Sequence, residues 1–320
     1  MMTKLPLLNP GSSERRLVWF ASAVLALLMT SVASAQQSFE TPEAAVNALV
    51  SAAKVGDRKN VLTVLGEDAT DLVTSGDEVA DASDRDRIIE AYDAKHQLIM
   101  EGADKAVLIL GKEDWPLPIP LLRKDGTWQF DSTTGREEIL FRRIGRNELS
   151  AIQTCLAYVD AQNEYAEQGV AGLGVYAQRI VSRPGKKDGL YWPAQSAAQE
   201  SPLGELAASA AAEGYRAGQQ RTPYHGYYYK VLTKQGSNAP GGELDYVVRD
   251  NMIGGFALVA SPAQYSNSGV MTFLVNHEGI IYQKDLGPRT ATIAEAMTVF
   301  NPDSSWQRVA TADQTTTEPK

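Results

Sequence analysis

The sequence predicts an α+β protein in which helices and antiparallel sheets follow one another along the chain. Apolar residues recur at helical spacing near the start of residues 36–133, and short apolar runs divided by turn residues complete that stretch. A long helical pattern then covers residues 134–168, and the last third of the chain is strand-like. Because strands and helices do not alternate, a doubly wound parallel sheet is not expected.

The first half begins with a helix whose two ends are both marked in the sequence. Thr41 can cap this helix, Pro42 suits its first turn, and Gly56 is suited to end it. The apolar spacing predicts two further helices, at residues 57–65 and 83–100. The first half therefore opens with three helices.

A curled antiparallel sheet completes the first half. Residues 106–110 form a short apolar run that is typical of a buried strand, and a hairpin joins residues 119–123 to residues 127–130. Its turn is Lys124-Asp125-Gly126, in which Asp-Gly favours the left-handed backbone of tight hairpins. We therefore predict a helix-plus-sheet domain at residues 36–133.

The second predicted domain covers residues 134–306 and begins with the long helix, in which Gly145 marks a candidate break. An irregular stretch rich in Gly and Pro and a short Ala-rich helix follow it. The strand-like segments then form a second antiparallel sheet, followed by a helix at residues 290–300. Residues 307–320 are predicted to form a polar, disordered tail.

Residues 1–35 have the three parts of a cleavable signal peptide in the required order. Arg15 and Arg16 give a positive start, residues 17–29 form an uncharged apolar run, and Ala33-Ser34-Ala35 provides the small-residue cleavage site. The apolar run is shorter than the ~20 residues that a bilayer-spanning helix needs, which favours cleavage over anchoring. We expect a mature chain without a membrane span, located in the periplasm or secreted.

The charge balance and the cysteine content narrow the possible partners and chemistries. Removal of residues 1–35 takes away three basic side chains and one acidic side chain, and the net charge falls from -9 to -11. Such an acidic chain is poorly suited to nucleic acid or anionic membrane surfaces. Cys155, the one cysteine, lies in a helical pattern among apolar residues, which predicts an inert thiol in the core.

The sequence lacks the common signatures of catalytic, cofactor and metal sites. The three histidines, His96, His225 and His277, do not have zinc-site spacing, and there is neither a nucleophile elbow nor a phosphate-binding loop. The acidic residues within 77–86 do not have calcium-loop spacing and are interpreted as a solvated helix start. We expect no cofactor and no bound metal, and we identify no catalytic residues.

Two segments are candidates for a ligand or partner surface. In the first, Lys186 and Lys187 precede Tyr191 and Trp192 within an irregular stretch, where large aromatic side chains either hold the loop against a domain or bind a partner. In the second, His225 lies within the aromatic sequence YHGYYY, which suits either packing between strands or a ligand groove. Packing is favoured in both cases.

Several strings of residues carry a family resemblance that extends from residue 39 to residue 306. They begin at Phe39 (FETPEAA), Asp114 (DWP), Gly145 (GRNE), Asp188 (DGLYWP), Tyr224 (YHGY) and Gly254 (GGFA). With these strings the chain resembles the secreted bacterial domain-of-unknown-function family 2950. That family implies no activity and supplies no catalytic residues.

Two weaker resemblances concern architecture alone. Residues 39–131 are similar to the cone-shaped nuclear-transport-factor-like fold, which serves both enzymes and binding modules. Residues 146–284 are similar to the helix-plus-sheet head of pilin-like proteins. A fold resemblance does not establish a function.

We interpret the chain as a non-catalytic envelope protein that acts by binding or assembly, with an unknown envelope protein or a small ligand as its partner. One alternative is an enzyme with a pocket in the cone-like half, which would carry a carboxylate or histidine on its floor. Another is a pilus-like structural component. The internal position of the long helix disfavours that role, since pilins polymerise through an apolar N-terminal stem.

We predict that the exported protein begins at Gln36, because cleavage follows Ala35 in the small-residue site. Intact-mass measurement of periplasmic material should give the mass of residues 36–320. Recovery of only the full-length chain, in the membrane fraction, would contradict cleavage.

Overall fold

A computed structural model describes residues 36–194, 200–216 and 222–310. The predicted signal peptide at 1–35 and residues 311–320 of the predicted tail lie outside the described residues. In these ranges, no helix has both the length and the apolar character that a membrane span requires. The helices are α1 (Pro42–Val55), α2 (Arg58–Leu65), α3 (Thr70–Val73), α4 (Glu78–Ala94), α5 (Ser132–Glu167), α6 (Gly204–Glu213) and α7 (Thr290–Ala296).

The first antiparallel sheet follows the first four helices, as the α+β pattern predicts. Its strands run in the order β1-β2-β4-β5, and β3 pairs with β2 beside this path. All of its strand pairs are antiparallel. The strands are β1 (His96–Met100), β2 (Lys105–Leu110), β3 (Trp115–Pro116), β4 (Leu121–Lys124) and β5 (Thr127–Phe130).

The second large sheet has the order β15-β13-β12-β11-β6 and is also antiparallel. A three-stranded sheet, β14-β7-β8, and the pair β10-β9 accompany it. These strands are β6 (Tyr227–Leu232), β7 (Lys234–Gln235), β8 (Leu244–Asp245), β9 (Val247–Val248), β10 (Asn251–Met252), β11 (Ala257–Pro262), β12 (Met271–Asn276), β13 (Ile281–Asp285), β14 (Val299–Phe300) and β15 (Gln307–Arg308). The α+β class is therefore confirmed.

Local signals placed the first helix and the first hairpin correctly. The Thr41 hydroxyl accepts a hydrogen bond from the Ala44 amide at 3.2 Å, and Gly56 ends α1 with a φ of 73°. In the hairpin, Asp125 and Gly126 both have positive φ, and β4 pairs with β5 on either side of them. Both predictions are confirmed because each depends on residues that are neighbours in the chain.

The predicted helix at residues 83–100 is wrong at both ends. The helix α4 starts five residues earlier, at Glu78, and ends at Ala94, where Lys95 adopts an extended backbone. Residues 96–100 form β1, which pairs with the whole apolar run of β2. Pairing with a partner strand overrides a helical spacing of apolar residues.

Three smaller expectations are also corrected. Gly145 does not break α5, because one interior glycine costs only about 1 kcal/mol in a long, packed helix. The helix predicted to reach residue 300 stops at Ala296, since Val299 and Phe300 pair in parallel with β7. Residues 307 and 308 belong to the second sheet and not to a disordered tail.

The apolar side chains form two hydrophobic clusters. The first cluster is built from the early helices and the first sheet, and the second is built from α5, the irregular stretch and the second sheet. The long helix α5 contributes to both, with Ile139 against the first cluster and Cys155 within the second. Cys155 is fully buried, as predicted, and burial raises the pKa of its thiol to about 12.

Arg143 of α5 joins elements from the two halves of the chain. Its guanidinium donates to the carbonyl oxygens of Asp71 and Leu72, each at 2.7 Å, and to Oδ1 of Asn267 at 2.5 Å. Asp71 and Leu72 belong to α3, whereas Asn267 lies between β11 and β12. The side chain is buried, and burial lowers its pKa, while nearby Asp81 and Asp71 oppose that change. These bonds satisfy a buried cation and three acceptors together.

We predict that Arg143→Met lowers the free energy of unfolding by about 3 kcal/mol, because buried acceptors lose a charged donor. Arg142→Met is the matched control. Arg142 is half-exposed, pairs with Glu138 and lies 5.9 Å from the Trp115 ring, so its loss should change stability by less than about 1 kcal/mol. Urea unfolding of both variants checks the prediction, and equal effects would contradict the assigned role of Arg143.

Candidate functional site

His225 lies in a tight turn that leads into β6. Tyr224 and Tyr227 exchange backbone hydrogen bonds of 2.8 and 3.1 Å, which leaves His225 and Gly226 as the two central residues. Both have positive φ, 49° and 74°, which is uncommon for a residue other than glycine. A Cβ at Gly226 would lie 2.5 Å from Nδ2 of Asn147, so the turn requires glycine there.

The His225 ring connects α5 to the end of α6. Nε2 lies 2.6 Å from Oε2 of Glu213, and Nδ1 lies 3.2 Å from the Ser150 hydroxyl. A proton on Nε2 lets the ring donate to the Glu213 carboxylate, while Nδ1 faces the Ser150 hydroxyl. This chain of serine, histidine and carboxylate could move a proton, and it also fixes the position of Glu213.

Asp77 forms a second connection beside the same turn. Its carboxylate is buried and accepts from the Ala80 amide at 3.1 Å, the Tyr215 hydroxyl at 2.9 Å and the Gly226 amide at 2.8 Å. Burial, and then the charge of Asp77, raise the pKa of Tyr215, so Tyr215 remains a protonated donor. The interpretation of this acid as part of a solvated helix start is wrong for Asp77.

A groove of about 550 Å³ runs between α4 and the end of α6. Its lining contains four carboxylates and one guanidinium, that of Arg87, which pairs with Asp84. One of the four carboxylates is Glu213, whose position is fixed by His225. The groove is lined by Glu78, Val79, Ala82, Ser83, Asp86, Arg87, Glu90, Ala212, Glu213 and Gly214.

The other candidate segment packs against α5. Trp192 is only 6% exposed and meets the Tyr165 ring edge to face at 6.4 Å. The Tyr165 hydroxyl donates to the carbonyl oxygen of Lys187 at 2.7 Å, and Nζ of Lys187 lies 5.0 Å from the Trp192 ring. Tyr191 is half-buried, while Lys186 and Lys187 are exposed. The buried ring favours a packing role for Trp192, and the loop and His225 are held by different partners.

The first half contains a pocket that is small for a ligand. Its volume is about 100 Å³, and Asp68, Lys124, Asp131 and Ser132 are among the residues that line it. Pockets that hold small molecules usually have about 300 Å³ or more. Of the histidines, His96 stacks on Tyr92 at 3.7 Å on the exposed side of β1 and does not line this pocket.

The His225 cluster consists of His225, Ser150, Glu213, Tyr215 and Asp77, and sequence reasoning identified only His225 as a candidate site residue. Ser150 and Glu213 have no local motif, and the partners of Asp77 come from the distant second half of the chain. The one local signal of this cluster was the His225-Gly226 pair, in which histidine takes the place that asparagine usually has before glycine in a two-residue turn. Among the described residues, no group of three or more His, Cys, Asp or Glu side chains is arranged to hold a metal ion.

Comparison with known proteins places the chain in a protein family. The family model described as "Protein of unknown function (DUF2950)" matches residues 36–309. No curated protein and no solved structure matches the chain. The resemblances to a cone fold and to a pilin head therefore remain predictions.

We predict that Trp192→Ala lowers the free energy of unfolding by about 3 to 5 kcal/mol, the usual cost of removing a buried tryptophan. Phe141→Ala, which removes a 78% exposed ring from α5, should change it by less than about 0.5 kcal/mol. Denaturant unfolding of both variants is the measurement. If Trp192→Ala leaves the free energy of unfolding unchanged, the ring does not hold the loop in place, and the loop becomes a candidate binding surface.

Proposed function

The chain belongs to the DUF2950 family, and we propose that it acts as an exported, non-catalytic module that binds a positively charged ligand. The groove between α4 and α6 is the observation that carries this proposal. The signal-peptide pattern of residues 1–35 supports export to the periplasm or beyond. The ligand would be a basic segment of an envelope protein or a small polyamine.

The charge of the groove supports a cationic ligand. Asp86 and Glu90 are exposed on α4, and Glu78 lies about two turns before Asp86. Arg87 pairs with Asp84 outside the lining set, and Asp86 pairs with the neighbouring Arg85, so Glu78, Glu90 and Glu213 carry the excess of negative charge in the lining. Amine or guanidinium groups would bind these carboxylates, and the negative charge of the whole chain would increase their rate of approach.

The two walls of the groove are held in place before a ligand arrives. Asp77 begins α4 and accepts hydrogen bonds from Tyr215 and Gly226, which follow α6 in the chain. His225 holds Glu213, the last residue of α6. A site whose walls are already positioned loses less entropy on binding.

Binding is favoured over catalysis for two reasons. The pocket of the cone-like half is small, which weakens the alternative of an enzyme in residues 39–131. Catalysis by Ser150 and His225 would also need an oxyanion hole, and the contacts of the pair are accounted for by holding α5 to α6. The pilus-like alternative is disfavoured because α5 starts inside the chain, at Ser132.

We predict that residues 36–320 bind a lysine-rich hexapeptide or spermidine at low salt, and that the double variant Asp86→Asn/Glu90→Gln weakens binding about tenfold. Isothermal titration calorimetry measures both affinities. Added salt should weaken binding to the wild-type chain, because exposed charge pairs are screened.

The control variant Glu113→Gln/Glu137→Gln removes the same charge from exposed positions outside the groove. It should bind within about twofold of the wild-type chain. If both double variants weaken probe binding equally, the probe is attracted by the net charge of the chain and not by the groove. If the wild-type chain binds neither probe, the proposed ligand class is rejected.

A further inference from the structure

The strand β1 lies at the end of the first sheet. It pairs with β2 along all five of its residues, and the sheet order places no strand beyond it among the described residues. Such an edge offers unpaired backbone donors and acceptors to another strand. The absence of proline from His96–Met100 leaves each of these amides able to donate.

The flanking hydrogen bonds identify which backbone groups face the open edge. The Glu101 amide donates to the Lys105 carbonyl, and the Gly111 amide donates to the Lys95 carbonyl, both at 2.8 Å. In an antiparallel pair, alternate residues point their N–H and C=O groups toward the partner strand. The backbone N–H and C=O groups that point toward β2 are therefore those of Lys95, Gln97, Ile99 and Glu101. The backbone groups of His96, Leu98 and Met100 point outward, toward the open edge.

The side chains at this edge are apolar and accessible. Ile99 is 43% exposed and Met100 is 49% exposed, while Leu98 is half-buried against the first cluster. Proteins usually protect an edge with a proline, a bulge or an inward-pointing charge. Within β1 none of these is present, and its charged neighbours stand only at the two ends, at Lys95 and Glu101.

We propose that β1 pairs with β1 of a second copy of this chain, antiparallel and about a two-fold axis at Leu98. In this register Leu98 faces Leu98 of the second copy, and His96 faces Met100. The three outward-facing residues of each strand then exchange hydrogen bonds in full. The first sheets of the two copies would form one continuous sheet, with an isologous contact.

The charges at the ends of β1 favour this register over its alternatives. An axis at Leu98 places Lys95 opposite Glu101 of the second copy at both ends of the paired strands, where opposite charges stabilise the pair. An axis at His96 places Lys95 opposite Gln97 and Glu101 beyond the paired strands, and an axis at Met100 places Glu101 opposite Ile99 and Lys95 beyond the paired strands. Parallel, in-register pairing aligns like charges. Lys95 and Glu101 also contact Asp114 and Lys105 within the chain, but about half of each side chain stays exposed for a second partner.

Sedimentation velocity of residues 36–320, from about 1 to 100 µM, tests the pairing. A dimer of residues 36–320 is expected within this range, since a short strand pair gives a modest affinity. Lys95→Glu should weaken dimerisation at least about tenfold, because like charges then meet at both ends. The charge-exchanged variant Lys95→Glu/Glu101→Lys should restore it to within about threefold of the wild-type chain.

Leu98→Pro is the second variant, because it removes the central outward-facing donor without removing a bond to β2. It should abolish the dimer, and the unfolding midpoint of each variant shows whether the chain still folds. A monomer at every concentration would overturn the proposal. A dimer that persists unchanged in Lys95→Glu would overturn it as well, whether or not Leu98→Pro folds.

Discussion

The hydrogen bonds of one buried cation determine how the two halves of this chain meet. The guanidinium of Arg143 has left water, so it must find acceptors, and these come from α3 on one side and from Asn267 on the other. The next turn of α5 adds further contacts with the β11–β12 connection. Asn147 donates to the Ser268 carbonyl, and Glu148 accepts from the amides of Val270 and Met271, each at 2.9 Å. Because α5 is one uninterrupted helix, these contacts lie in a row along it. Together they hold the β11–β12 connection against the early helices.

The groove depends on the same row of contacts. Its first wall, α4, follows α3 in the first half, and its second wall, α6, belongs to the second half. Asp77 connects the two walls, since it caps α4 and accepts hydrogen bonds from Tyr215 and Gly226, which follow α6 in the chain. A carboxylate that accepts three hydrogen bonds while buried holds its neighbours firmly, because each donor would otherwise lose a partner. The groove is therefore a product of the junction, and neither half would form it alone.

The sequence predicted features that neighbouring residues determine. Thr41, Asp125-Gly126 and Cys155 each act through adjacent residues or through local periodicity, and their roles were predicted correctly. Residues 96–100 were misread because their apolar spacing suits a helix, and only pairing with β2 makes them a strand. The His225 cluster could not be predicted as a whole: Asp77 and Gly226 meet across 149 positions of sequence, and Ser150 and His225 across 75. Serine, glutamate and aspartate are common residues, so their local sequence does not predict these long-range contacts.

The distribution of cations explains why the groove, and not the aromatic loop, is the better place for a charged ligand. In the loop, Lys187 lies over the Trp192 ring, and Arg183 pairs with Asp188, whose pKa is lowered chiefly by the backbone hydrogen bond from Arg183. These charges therefore have partners within the loop. In the groove the carboxylates outnumber the cations, because Arg87, the one cation of the lining set, pairs with Asp84 outside it. Asp86 pairs with Arg85 and Glu213 with His225, which leaves Glu78 and Glu90 without an ion pair among the described residues. The proposed ligand, with amine or guanidinium groups, would supply ion-pair partners to these carboxylates. The loop lacks such an imbalance, so binding there would have to displace contacts that already stabilise the fold.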